Sequence, residues 1–380
     1  MKFNAAWLAL LLLITIFIPV HAQETTPAEE PFSGGIVCEP DVYLVEPGDC
    51  LPLGPSVYLT SLAHLGLTLP QRPLLAHKPS PELMQIPYRY FHMADDKSPK
   101  FYSSLADAQA KSDNALTYAP GFVYISYQNT DPTGHFFLTQ SGYWIRGDGY
   151  RIQEYSSFQG LLFNQTPRNS FGWTFEQIPV KSAPGYDAAD TGEILQSWTI
   201  VQVYQTKTIK DTAWNMIGPS KWVEGRKVAV VTPNTTPPEG VTTGRWIDVN
   251  LEEQTLAVYQ DRELVFATMI ATGMESFWTR PGFFQIFEKK EAETMRNNDP
   301  ADFYFLENVP YTMYFDGARA LHGAYWRTRF GYPQSHGCVN LSVGDARWLF
   351  DWASLGDWVY VHDPSGQTPT DPALYTGGAY

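Results

Sequence analysis

Cysteine is scarce in this chain, with three residues in 380. That excludes a disulfide-dense miniature fold, and the odd count leaves at least one thiol without an intramolecular partner. Charge is sparse as well: Asp, Glu, Lys and Arg make up 17%, and no run of like charge occurs. Basic residues are the scarcer sign, 26 against 40 acidic, for a formal net charge of -14. An acidic chain with no basic cluster is not built to hold nucleic acid or anionic lipid as its main partner. Long apolar runs are confined to the N-terminus. What is present in quantity is hydrophobic (44%) and aromatic (15%), the composition of a globular chain. At roughly 100–200 residues per domain, the length suggests two or three domains.

Residues 1–22 read MKFNAAWLALLLLITIFIPVHA: one Lys, an apolar stretch, then small residues around Ala22. This is the pattern of a cleaved secretory signal peptide. The alternative is an uncleaved anchor, which needs roughly 20 apolar residues; this stretch is shorter and lacks a basic stop-transfer flank. The expectation is an exported protein, in the cell wall or the extracellular or periplasmic space. Residues 23–35 are polar and Pro/Gly-rich and read as a flexible linker. Cys38 and Cys50, close together in an exported chain, are expected to form a structural disulfide. The closed loop is short, so its stabilisation is about 2–3 kcal/mol in the loop-entropy account. A metal reading of this pair is weaker, since no His adjoins it.

Residues 36–240 hold short aromatic and β-branched runs broken by Gly, Pro, Asn and Asp, such as GFVYISY at 121–127 and SWTIVQVY at 197–204. These read as strands, with helix only near 57–65 and 104–111. An echo links Tyr143–Tyr155 with Trp214–Val228, in the order aromatic, Ile, Gly, aromatic, Arg. It signals either two small SH3-like units or two unrelated aromatic hairpins. Thr232–Gly240, TPNTTPPEG, is the best domain boundary.

From 241 to 363 the pattern is more regular. RWIDVN, TLAVY and ELVFATMIA read as successive strands, and WVYV at 358–361 as a closing strand. Ser342 with Asp345 forms a capping signal for a helix carrying Ala346, Leu349 and Phe350, placed just after Cys338. Residues 364–380 read as a disordered tail. The fold class is therefore mainly β: a sandwich or barrel-like domain with a short helix, preceded by small β-rich units.

Cys338 stands in Ser335-His336-Gly337-Cys338-Val339-Asn340, and His322-Gly323 lies upstream. A nucleophilic cysteine needs a base to take its proton and backbone N–H groups aimed at the developing oxyanion. His322 supplies a base and Gly323 a carbonyl to hold its tautomer. Gly337 permits close backbone approach, and the nearby helix start favours a thiolate. Zinc is the rival for a Cys with two His, but neither metal spacing nor a catalytic acid accompanies them, so no metal is expected. An inert buried thiol is the default for a lone cysteine and leaves the Gly-flanked, His-rich setting unexplained.

These residues resemble the signature of the L,D-transpeptidases, the YkuD-type catalytic domain, over about Thr243–His362. Asn340, where Arg is commoner, is similar to the variant of actinobacterial-type members. The His322-to-Ser335 interval is short for that variant, and Thr279-Arg280-Pro281-Gly282 approximates the usual Thr-Pro-x-Gly. The resemblance implies Cys338 as nucleophile, His322 as base and Gly323 as its orienting carbonyl. It also implies Ser335 and His336 in the pocket, Gly337 and Cys338 N–H groups as oxyanion hole, and Asn340 near the site or holding the turn. Tyr311, Met313 and Trp326 are candidates for the substrate wall or for simple packing. The implied activity is attack on a peptidoglycan tetrapeptide stem, release of D-Ala and a 3→3 crosslink, with no cofactor and with acylation by carbapenems. Carboxypeptidase action on the same stems, a wall-binding protein with a dormant site, and a general cysteine protease remain as rivals.

Overall fold

Strands dominate the computed structural model, which describes residues 57–147 and 150–375. The signal and linker segments and the Cys38–Cys50 pair lie outside the described residues. Nearly everything described falls in one unit, Ser61–Tyr380.

Two sheets build the C-terminal part. A seven-stranded sheet runs in the order Ala76–His77, Leu161–Phe163, Glu263–Met269, Thr255–Gln260, Trp246–Asn250, Trp358–His362, Gly282–Gln285. A nine-stranded sheet is organised around the long strand Tyr304–Asp316. That strand is paired with Glu288–Asn297 and Arg319–Gly323, and Val339–Leu341 closes the edge. Between the sheets lies one core, to which Val249, Val258 and Phe266 come from the first sheet, Met313, Leu321 and Val339 from the second, and Ala346 and Leu349 from the helix Val343–Trp352. The architecture is a β-sandwich with a helix added to it.

The outer face of the seven-stranded sheet is covered too. Trp246, Tyr259 and Met269 pack there with Phe171, Trp173 and Val231 of a three-stranded sheet from the N-terminal region. A sheet buried on both faces selects continuous apolar runs, which is why Thr255–Gln260 reads TLAVYQ without polar alternation.

The Pro-rich stretch at 232–240 divides the sequence but not the sheets. Phe122–Thr130 pairs in parallel with the long strand, Phe122 opposite Tyr304, and Arg89–Met93 and Tyr150–Gln153 extend the sheet outward. The two aromatic hairpins therefore differ in fate. Tyr143–Tyr155 supplies Trp144–Arg146 and Tyr150–Gln153 to the nine-stranded sheet. Trp214–Val228 instead supplies Trp214–Gly218 and Lys221–Glu224 to a separate five-stranded sheet that shares a small core of Ile178, Val180, Val201, Ile217 and Val223 with the three-stranded one. The two halves of the echo thus stand in different sheets.

Ser342 caps the helix as its spacing predicts, its Oγ accepting the Asp345 N–H at 3.3 Å. Asp345 is fully buried and accepts from the Gly160 N–H at 3.0 Å and the Thr268 hydroxyl at 2.6 Å. Burial pushes its carboxyl up to about 6 against those hydrogen bonds. The tail, expected to be disordered, is described as far as Tyr375. Asp363 accepts from the Ser365 and Thr368 N–H groups, and the buried Tyr375 ring lies 5.1 Å from the Arg319 guanidinium.

Candidate active site

Strand parity assembles the site. Leu321 lies opposite Val339 in the parallel pair of edge strands, and both enter the core. The next pair, His322 opposite Asn340, must therefore face the other way. Cys338, two residues before Asn340, falls on that same side. An imidazole and a carboxamide on adjacent strands, and a thiol just ahead of the second, thus share the wall of a cavity of about 440 Å³.

The turn into the cysteine strand is tightly braced. Gly337 has φ +110, and a Cβ there would sit 3.1 Å from Arg319 Nε, so glycine is required. Ser335 Oγ accepts the Gly337 N–H at 3.1 Å and donates to the Cys338 carbonyl at 2.5 Å. From the other side the Thr279 hydroxyl donates to the Gly337 carbonyl at 2.9 Å and accepts the Gly273 N–H at 2.9 Å. The Gly337 N–H, expected in an oxyanion hole, is thus already bonded to Ser335.

The half-buried Cys338 directs its S–H toward the Ala318 carbonyl at 3.8 Å. Burial raises its pKa above the ordinary thiol value, opposed by the Ala320 N–H and the Arg319 charge. Arg319 is in turn held by Asp316 at 3.1 Å. The helix begins only at Val343, beyond the strand Val339–Leu341. The groups that favour the thiolate are thus Ala320 and Arg319, not the helix start expected from the sequence.

His322 is 1% exposed, with Nδ1 3.4 Å from the Gly323 carbonyl. Burial drives its pKa down to about 4; the Gly323 carbonyl opposes this and the Arg327 charge adds to it. The imidazole is therefore neutral near pH 7. With the Asn340 amide oriented by its hydrogen-bond partners, Nδ2 donates to His322 Nε2 at 3.0 Å and Oδ1 accepts from Arg327 Nη2 at 3.2 Å. This places the imidazole proton on Nδ1, facing Gly323, with the Nε2 lone pair accepting the Asn340 N–H.

His336 sits across the cavity, 3.1 Å from Asp302 Oδ1 and against the Phe277 and Tyr304 rings. Trp326 lines the wall with its ring 5.6 Å from that of His322. Tyr311 and Met313 do not line it. Met313 is fully buried opposite Leu321 in the core, and Tyr311, at φ +57, packs on Phe350. Alternation explains both: the face of the long strand that carries Met313 is the core face. Tyr314, one residue on, borders instead a second opening of about 350 Å³ at Cys338, with Glu293, Arg296 and Tyr304. There the Tyr314 hydroxyl donates to Glu293 at 2.8 Å, and Lys290 pairs with the same carboxylate at 2.8 Å. Counting parity from Met313 would have found Tyr314; no local signal marks Tyr304.

Residues 244–361 match the YkuD family model, the L,D-transpeptidase catalytic domain. Among solved structures the chain is similar to an L,D-transpeptidase from Stackebrandtia nassauensis, with 31% identity over 34% of this chain and 59% of that one and a TM-score of 0.28. It is also similar to the catalytic domain of the E. faecium L,D-transpeptidase, with 27% identity over 31% of this chain and 96% of that one and a TM-score of 0.29. A third is an L,D-transpeptidase in complex with imipenem, with 16% identity over 55% of this chain and 93% of that one and a TM-score of 0.30. The chain thus spans 59% of the length of the first of these relatives. No curated protein sequence matches it. The segment that carries His322 and Cys338 is thus the part of the chain that is similar to the L,D-transpeptidase catalytic domain of the YkuD type.

Proposed function

We propose that the protein is an exported cysteine L,D-transpeptidase acting on peptidoglycan stem peptides, with Cys338 as nucleophile and His322 as general base. The observation that carries this reading is that His322, on one strand, and Cys338, just ahead of the neighbouring strand, line one cavity within the family-matched segment. His322 Nε2 gives up the Asn340 N–H and takes the S–H proton, and the thiolate attacks the carbonyl of the third residue of a tetrapeptide stem. The bond to the terminal D-Ala breaks, its nitrogen receives the proton from His322, and a thioester remains. The side-chain amine of a second stem then attacks the thioester and gives its proton to His322. The C–S bond breaks, the sulfur takes that proton back from His322, and a 3→3 crosslink is left. No cofactor enters any of these steps.

A transpeptidase needs an approach for each substrate, and Cys338 borders two openings. That favours amine over water as the second nucleophile, so carboxypeptidase action is the lesser reading. The same nucleophile implies acylation by carbapenems. The test is release of D-Ala from a tetrapeptide stem, followed by mass analysis of the products with and without an acceptor amine. Loss of both release and crosslinking in Cys338→Ala is expected. Full D-Ala release by Cys338→Ala would refute the assignment. Binding to sacculi with unchanged muropeptides would favour a wall-binding protein instead.

A further inference from the structure

Arg327 carries the one permanent charge among the side chains lining the Cys338 cavity, and no carboxylate answers it among the described residues. It follows Trp326 in the loop between the histidine and cysteine strands and turns back into the cavity that Cys338, His322 and Asn340 also line. Its hydrogen bonds go to neutral acceptors: Gln334 Oε1 at 2.8 Å, the Gln334 carbonyl, and Asn340 Oδ1. Neighbouring guanidinium groups are treated differently: Arg319 and Arg280 both pair with Asp316. Much of the remaining wall, including Met274, Met295 and Leu306, is apolar.

A half-buried guanidinium with only neutral hydrogen-bond partners is costly in the resting protein, and an arriving anion relieves that cost. The planar N–H array of arginine matches a carboxylate better than any other anion a peptide carries. We propose that Arg327 is the receptor for a carboxylate of the donor stem, making the cavity selective for acidic stems over amidated ones. The inference rests on the transpeptidase reading. Gln334 Oε1 stands where an incoming carboxylate oxygen would bind, so docking exchanges a neutral acceptor for an anionic one. Two carboxylates of a stem have this chemistry: the α-carboxylate of the leaving fourth residue, and the side-chain carboxylate of a diamino acid at the third.

The experiment uses the full chain and three synthetic tetrapeptide stems: the free acid, the C-terminal amide, and the stem amidated at the third-residue side chain. Affinities are measured calorimetrically on Cys338→Ala and on the same protein carrying Arg327→Gln or Arg327→Lys, and turnover is measured on the wild type. The free acid is expected to bind about 10- to 100-fold more tightly than one of the two amides. The amide that loses affinity names the carboxylate bound. Arg327→Gln should abolish that ratio and Arg327→Lys should keep part of it. The ratio is the readout because a purely structural role, through Gln334 and Asn340, would weaken all three stems together. Turnover with equal affinity for the three stems, or a ratio unchanged in Arg327→Gln, overturns the inference and leaves the transpeptidase reading standing. Carboxylate-dependent binding through Arg327 with no turnover by the wild type supports the inference and overturns the reading.

Discussion

At the residue scale the site at rest is a neutral pair, not a thiolate–imidazolium couple. Burial lowers His322 to about 4 and raises Cys338, so near pH 7 neither group is ionised. The sign for reactivity follows. Alkylation of Cys338 by iodoacetamide should climb steadily with pH through the neutral range, and its rate should show no plateau at pH 5–8. A plateau there would report an ion pair and contradict the burial argument. His322 also makes an acid-side contribution to stability. Its folded pKa lies below the ordinary 6.5, so stability is lost as pH falls from 6.5 through about 4. Gly337 is the second residue with a sharp consequence. Gly337→Ala must place a side chain at φ +110 against Arg319, at a cost of about 1–3 kcal/mol. A displaced Cys338 should leave the variant folded but at least about 100-fold less active. Wild-type kcat in that variant would show that the turn does not position the thiol.

At the element scale the helix Val343–Trp352 is fixed by one buried carboxylate. Asp345 links it to Gly160 and Thr268, so Asp345→Ala should leave two buried donors unmatched and destabilise by about 2–4 kcal/mol in denaturant unfolding. The folded pKa of Asp345, about 6, lies above the ordinary 3.8. Its contribution is therefore full below pH 3.8 and declines as pH rises through about 6. The stability difference between the wild type and Asp345→Asn should change over that window and be flat above it. Much of this element pattern was legible in the chain. The Ser342–Asp345 cap, the strands RWIDVN and TLAVY, and the order His322, Cys338, Asn340 stand where the residues put them. Three features escaped. The strand Glu288–Asn297, EKKEAETMRN, has no apolar period because it is half-exposed and held mainly by pairing with the long strand. Tyr311 and Met313 looked like site residues because an aromatic and a thioether suit a substrate wall as well as a core, and only parity tells them apart. The Gly337 N–H looked available because its bond to the Ser335 hydroxyl is a property of the turn.

At the scale of the whole molecule, the family-matched segment and residues 61–240 are one unit. Trp246 and Tyr259 are buried because Phe171, Trp173 and Val231 cover them, and Phe122–Thr130 continues the sheet that carries Tyr304 and Leu306 of the active-site cavity. Local composition could not reveal this, since the pairings join residues more than a hundred positions apart. A fragment holding only 241–363 would expose that apolar face and an unpaired strand edge. It should be insoluble or bind hydrophobic dye strongly, whereas the chain from 57 onward should unfold in one cooperative transition. A soluble, active 241–363 fragment would show that the N-terminal strands are dispensable. The central claim is the covalent one, that Cys338 carries the acyl group between two stems. Intact mass spectrometry of the full chain incubated with a tetrapeptide stem tests it most directly. The account predicts an adduct of the stem less its terminal D-Ala, on the wild type and absent from Cys338→Ala; an adduct on both proteins, or D-Ala release by Cys338→Ala at the wild-type rate, would contradict it.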